Sequence, residues 1–238
     1  MKNLSESAFE KDQLLLIDKP WGWTSFEVVK IIRKKIRSFF GENLKIGHAG
    51  TLDPLATGLL IVLIGRKYTK KVDYIQNYKK TYTGIIKLGC MTQSFDSETE
   101  EYNLSSTSHI THELVQEISK KFNGEINQYP PDFSALRMKG KRLYEYARKG
   151  KKINHMKPRR VKIYKFHILK IGIPYIQFFV ECGKGTYIRS IAKDFGIAIK
   201  SGAYLLSLRR ESIGPFSIKN SYSMDFELSN SKRMNLTG

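Results

Sequence analysis

Apolar residues fall along this chain in short blocks with two different periods. Leu14 to Ile17 is a compact apolar run closed by Lys19-Pro20 and Gly22, which predicts a short strand. Thr24 and Glu27 then form a Thr-x-x-Glu capping box, so a helix begins here. Its inward stripe is Val28, Val29, Ile32 and Ile36, with Lys30, Arg33, Lys34, Lys35 and Arg37 mostly on the other faces. Leu59 to Ile64 is apolar at every position and predicts a buried strand, and Lys80 to Gly89 predicts another. Thr111 caps a second helix, with Leu114, Val115, Ile118 and Phe122 inward and Gly124 as its stop.

The second half changes rhythm. Val161, Ile163 and, less cleanly, Phe166 and Ile168 alternate through a strand, and Tyr175 to Gly183 reads as its hairpin partner. Ile188, Ile191, Ala192 and Phe195 return to helical spacing, closed by Gly196. Tyr204 to Arg210 is a last strand, and the segment from Ser221 is polar and weakly patterned. Strands and helices mix without a steady βαβ alternation. The expected class is α+β with a mixed, mainly antiparallel sheet.

Composition narrows the function. The chain has 238 residues, long enough for a proper core, and carries 41 Lys+Arg against 22 Asp+Glu, a net charge of +19. Such an excess points to a polyanionic partner, nucleic acid first and an anionic membrane surface second. Two distant cysteines, Cys90 and Cys182, form no disulfide framework or zinc pattern. The start is polar, without the apolar core of a signal peptide, and the longest apolar run is too short for a bilayer span. A cytoplasmic protein is expected.

The charge is concentrated. From Arg137 to Lys165 there are thirteen Lys/Arg and one acid, Glu145, with Tyr144, Tyr146 and Tyr164 interleaved. Clustered cations contact phosphates, and tyrosines stack on unpaired bases. Gly140, Gly150 and Pro158 interrupt any membrane-surface helix, which favours RNA or DNA. The candidate contacts are Arg142, Arg148, Lys149, Lys151, Lys152, Arg159 and Arg160, together with Lys19.

Other motifs carry little. Cys182-Gly183-Lys184-Gly185-Thr186 lacks the spacing of a phosphate loop. His109, His112 and Glu113 sit at a spacing that can hold a metal, but in an ordinary polar approach to a helix, and no metal is expected. Asp53 is different. An Asp-Pro pair by itself is a turn starter. Here Gly47, His48 and Gly50 precede it, and the apolar run behind it anchors the loop on rigid core. A carboxylate so placed needs a cation, and Arg189 lies at a predicted helix start, though spacing alone does not bring the two together.

Six ordered blocks covering about residues 14–215 resemble the bacterial tRNA pseudouridine synthase B family. They are DKPWGWTSFEVV (18–29), GHAGTLDPLATGLL (47–60), KKTYTGIIKLG (79–89), QYPPDFSALRMKGKRLYEYARKG (128–150), CGKGTYIRSIAKDFG (182–196) and LRR (208–210). The resemblance implies a single pseudouridine synthase domain over residues 1–238, with a central catalytic cleft and a basic RNA-contacting insertion at about 124–160. It implies conversion of uridine to pseudouridine at position 55 in the tRNA T-loop, by base flipping and without cofactor. It makes Asp53 the essential carboxylate, with attack on the ring, attack on the sugar and removal of a sugar proton all open. The resemblance also implies that Tyr82 packs on the base, that Arg189 pairs with Asp53, that Tyr187 and Leu208 line the uracil pocket, and that His48 holds the opened T-loop.

Three departures stand out. Only 28 residues follow Arg210, too few for the family's small C-terminal RNA-binding domain of PUA type, which is expected to be absent. Lys67-Tyr68 replaces commonly small residues in GRKYTKK, and MTQSFDSETE is a degraded form of a Thr/Asp/Gly-rich stretch. The expected partner is the tRNA T-stem-loop, with no membrane, no obligate protein partner and a monomeric state. A non-catalytic RNA-remodelling module and a guide-RNA-dependent relative in a ribonucleoprotein are the alternatives.

Overall fold

A computed structural model of the chain describes residues 2–134, 136–138, 140–147, 149 and 157–224. Among the described residues no helix is long and apolar enough to cross a membrane. The chain divides into two compact units, one of residues 1–82 with 209–238 and one of residues 83–208.

In the first unit the strand Ala56–Ile64 is central. Gln13–Lys19 runs antiparallel along it, from Gln13 opposite Ile64 to Lys19 opposite Gly58. Ile46–Ala49 pairs antiparallel with its other edge, Ile46 opposite Ile64. Lys2–Asn3 and Tyr222–Ser223 pair in parallel, and Tyr222 joins the Gln13–Lys19 strand beside Ile17.

The continuous apolar run at Leu59–Ile64 has a simple cause: both faces of that strand are covered. Leu60, Val62 and Ile64 pack with Val28, Val29, Ile32 and Ile36 of the helix Ser25–Phe40. Leu59, Ile61 and Leu63 face a second cluster with Ile75, Ile213 and Ile218. Each such buried side chain contributes about 1.5–3 kcal/mol relative to exposure. The helix begins as expected, with Thr24 and Glu27 bonded reciprocally, and ends at Gly41 in the left-handed region.

In the second unit Arg159–Gly172 and Tyr175–Cys182 form the expected hairpin, and Gly124–Gln128 pairs antiparallel with the first strand's start. The helix His112–Lys120 is capped by Thr111, and Val115, Ile118 and Ser119 are its buried residues. It stops before the expected Gly124, which opens the next strand. Phe122, Phe166, Phe178 and Phe195 form a connected aromatic cluster with ring centroids 5.6–6.2 Å apart.

The helix Ile188–Ala198 corrects the reading of Gly196. That glycine lies inside the helix, not at its stop. A Cβ there would fall 2.2 Å from the Ala203 backbone nitrogen, so the residue is small because the following chain packs directly on it. The α+β class and the mainly antiparallel pairing hold in both units.

Candidate functional site

Asp53 lies in the loop between the strands Ile46–Ala49 and Ala56–Ile64, half-buried. The loop is held from four directions within the first unit. Ser25 Oγ donates to the Leu52 carbonyl at 3.1 Å and accepts from the Leu52 N–H at 2.9 Å. Lys19 Nζ donates to the Pro54 carbonyl at 3.1 Å, and the Gly22 N–H reaches the same oxygen at 2.9 Å. Arg210 Nη2 donates to the Gly50 carbonyl at 2.9 Å, while its Nε holds the Leu59 carbonyl at 2.7 Å. The Ala56 N–H closes the turn on the Asp53 carbonyl at 3.1 Å.

Lys19 was expected on the surface as an RNA contact; the structure corrects this. It is 0% exposed, and its remaining donors reach the carbonyls of Pro20 at 2.9 Å and Trp23 at 2.6 Å. An ammonium with three carbonyl partners is a brace. Burial pushes its pKa down to about 8, against the opposing pull of Asp53; Arg210 depresses it further.

Arg210 is the feature that the sequence reading passed over. In the sequence it stands as the end of a strand and of the Leu-Arg-Arg motif, yet it is 1% exposed. Gly58 explains how it gets in. At φ +103° this glycine lets the Arg210 backbone pass where a Cβ would sit 2.4 Å from the Arg210 carbonyl oxygen. The neighbouring Arg209 makes a two-pronged pair with Asp18, at 2.7 and 3.1 Å.

His48 is half-buried on the strand leading into the loop. Burial, and secondarily Arg210, lowers its pKa and so favours the neutral ring. Its Nδ1 has no hydrogen-bond partner among the described residues. Tyr82 is buried at the end of the first unit's share of the strand Lys80–Leu88. Lys80 donates to the carbonyls of Gln76 and Tyr78, both at 2.7 Å.

The second unit holds the other expected residues. Arg189, 4% exposed, donates to the carbonyls of Ser94 at 3.1 Å and Phe133 at 2.8 Å. Its Nε lies 3.6 Å from the carboxylate of Asp96, itself buried. Asp96 sits in the MTQSFDSETE stretch and was not singled out; the dense Ser/Thr around a lone Asp is the signal, because Thr92 and Ser94 both bond its carbonyl. The Tyr187 backbone is clamped by one buried amide: Gln128 accepts from its N–H at 2.7 Å and donates to its carbonyl at 2.9 Å. Leu208 is half-buried.

Of the expected RNA contacts, Lys149 and Arg159 are exposed, and Arg160 is exposed but paired with Glu125. Arg148, Lys151, Lys152 and the side chain of Arg142 lie outside the described residues. His109 bonds the Ile199 carbonyl at 3.0 Å, and among the described residues no three His, Cys, Asp or Glu gather as a metal site.

Residues 36–188 match the N-terminal domain of TruB family pseudouridylate synthases. The tRNA pseudouridine synthase B of Chloroherpeton thalassium is 50% identical over 87% of this chain and 85% of its own length. That of Flavobacterium johnsoniae is 47% identical over 91% of this chain and 95% of its own. Among solved structures, a Cbf5–Nop10–Gar1 complex matches with TM-score 0.66 and 29% identity, over 90% of this chain and 53% of that one. An archaeal box H/ACA Nop10–Cbf5 complex matches with TM-score 0.63 and 26% identity, over 92% and 53%. Sequence and α+β fold agree, and the chain belongs to the TruB family of pseudouridylate synthases.

Proposed function

We propose that the chain is a tRNA pseudouridine synthase, converting uridine to pseudouridine at position 55 of the T-loop. The 50% identity to a relative named tRNA pseudouridine synthase B carries this reading. The reaction breaks the C1′–N1 bond, turns the uracil over, joins C5 to C1′ and removes the C5 proton, while N1 takes up a proton, so that the product is an isomer of the substrate. Atoms balance without an outside reactant, so no cofactor enters. The target nucleotide leaves its stack to meet Asp53. The braced loop supports that role, because a carboxylate on fixed backbone needs no reorganisation when the base arrives. Tyr82, Tyr187, Arg189, Leu208 and His48 keep the supporting roles that the resemblance assigns. The enzyme acts in the cytoplasm, as a monomer without an obligate protein partner.

The test is incubation of purified protein with unmodified tRNA transcript and no additive, followed by mapping of pseudouridine. Product at position 55, lost in Asp53→Asn with tRNA binding retained, is the expected outcome. Equal activity in Asp53→Asn sinks the mechanism, and tRNA binding without product favours a remodelling module.

A further inference from the structure

The segment Gly65-Arg66-Lys67-Tyr68-Thr69-Lys70-Lys71, away from the residues assigned to the reaction, sets a tyrosine among four cations. In the first unit Tyr68 lines a groove of about 600 Å³, together with Lys71, Tyr74, Tyr78 and Phe216. Leu14, Leu16 and Ile75 supply its apolar floor, and Gln13 and the carboxylate of Glu10 complete the lining. The rings stand edge to face in a chain: Tyr74 against Tyr78 at 5.2 Å, and Tyr78 against Phe216 at 6.4 Å. Tyr74 is 66% exposed. The Lys71 and Lys67 ammonium groups lie 5.2 and 5.9 Å from the Tyr68 ring centroid.

Tyr74, open to solvent, and the half-buried Tyr68 and Tyr78, with Lys67 and Lys71 beside them, supply the two components of a sequence-tolerant RNA groove. Rings stack on bases, and ammonium groups follow the phosphates. The groove is also remote from Asp53. Asp53 precedes the Ala56 end of the central strand, where Gly58 faces Lys19, while the groove borders the Ile64 end, where Ile64 faces Gln13. At about 3.3 Å per residue those two pairs are roughly 20 Å apart. A nucleotide seated at Asp53 and its immediate neighbours do not span that distance.

We propose that this groove is a second RNA site, which stacks unpaired nucleotides of the substrate from outside the T-stem-loop. It rests on the tRNA reading above and adds a reason for preferring whole tRNA to an excised hairpin.

The test compares full-length tRNA transcript with the isolated T-stem-loop, each by direct binding and by rate. Tyr74→Ala removes an exposed ring, Lys71→Glu reverses the charge, and Tyr74→Phe keeps the stacking face. The expected result is about tenfold weaker binding of full-length tRNA by Tyr74→Ala, the size of one base–ring stack. Lys71→Glu weakens it likewise, Tyr74→Phe restores it, and T-stem-loop binding and kcat stay unchanged. Unchanged binding of full-length tRNA, or equal losses on both substrates, overturns the proposal. So does a change in oligomeric mass without a change in RNA binding, which marks the groove as a contact between copies. Absence of pseudouridine formation by the unsubstituted protein on either RNA instead removes the tRNA reading, and the binding comparison still decides the groove.

Discussion

Lys19 brings charge and geometry together most tightly. Its three carbonyl partners use all three ammonium hydrogens, and one of them belongs to the residue after Asp53. Its pKa is depressed to about 8, so the folded chain loses this proton before the unfolded chain does. Between that value and the ordinary lysine range the unfolded state holds more protons, and this group's contribution to stability rises with pH. Activity runs the other way, because a neutral amine has two hydrogens for three acceptors. We expect the rate to fall on the alkaline side with an apparent pKa near 8. In Lys19→Met that limb should vanish and the rate should be lower throughout; a limb that persists in the variant assigns it elsewhere. Arg210 acts on the same loop from the opposite side. Arg210→Met leaves the Gly50 and Leu59 carbonyls without this donor, at about 1–3 kcal/mol for each acceptor left unpaired. A lower Tm together with a reduced kcat is the expected signature, and a drop in Tm alone means that Arg210 does not set the Asp53 loop.

Elements with a strong local signal were legible in the sequence. The helix Ser25–Phe40 carries a capping box and an unbroken stripe, and the structure follows both. The strand Ala56–Ile64 was visible from its apolar run, although its opening residues Ala56–Gly58 are obscured by the polar Thr57 and by Gly58. Ile46–Ala49 and Gly124–Gln128 escaped because glycine and polar residues break the period-two pattern in strands of four and five residues. The loop placement of Asp53 was legible from the glycines before it and the apolar run behind it, whereas the buried bracing by Lys19 and Arg210 was not. Lysine and arginine are ordinarily surface residues, and only the packing around them reveals the exception. Gly196 shows the same limit, since a helix stop and a close approach both select glycine. Gly196→Ala tests the second cause. Alanine favours helices by about 1 kcal/mol over glycine, so a mere helical position gains stability. Overpacking against Ala203 instead costs about 1–3 kcal/mol, roughly 2–12 °C in Tm for a chain of this size. A thermal melt showing a higher Tm refutes the close-packing account.

At the scale of the whole molecule, a net charge of +19 makes tRNA affinity a function of salt. Lys149 and Arg159 are exposed, while Arg160 shares its charge with Glu125. Neutralising Lys149 and Arg159 to Gln should reduce the slope of log affinity against log salt by about 0.9 for each phosphate that is no longer neutralised. The kcat should hold, and the Arg160→Gln slope should change less than that of Arg159→Gln. An unchanged slope in the double variant places the phosphate-binding charge on other cations. The Arg210 brace has a further consequence, in time. Its donors close on Gly50 and Leu59 across 160 and 151 residues of sequence, and the unit that carries Asp53 is completed only by the chain from Arg209 onward. During synthesis at about 5–20 residues per second, the Asp53 turn therefore waits roughly 8–30 s for its last support. A nascent chain stalled before Arg210 still lacks two of the donors that hold the Asp53 turn and the strand behind it. The Asp53 turn is therefore completed only after Arg210 has been made.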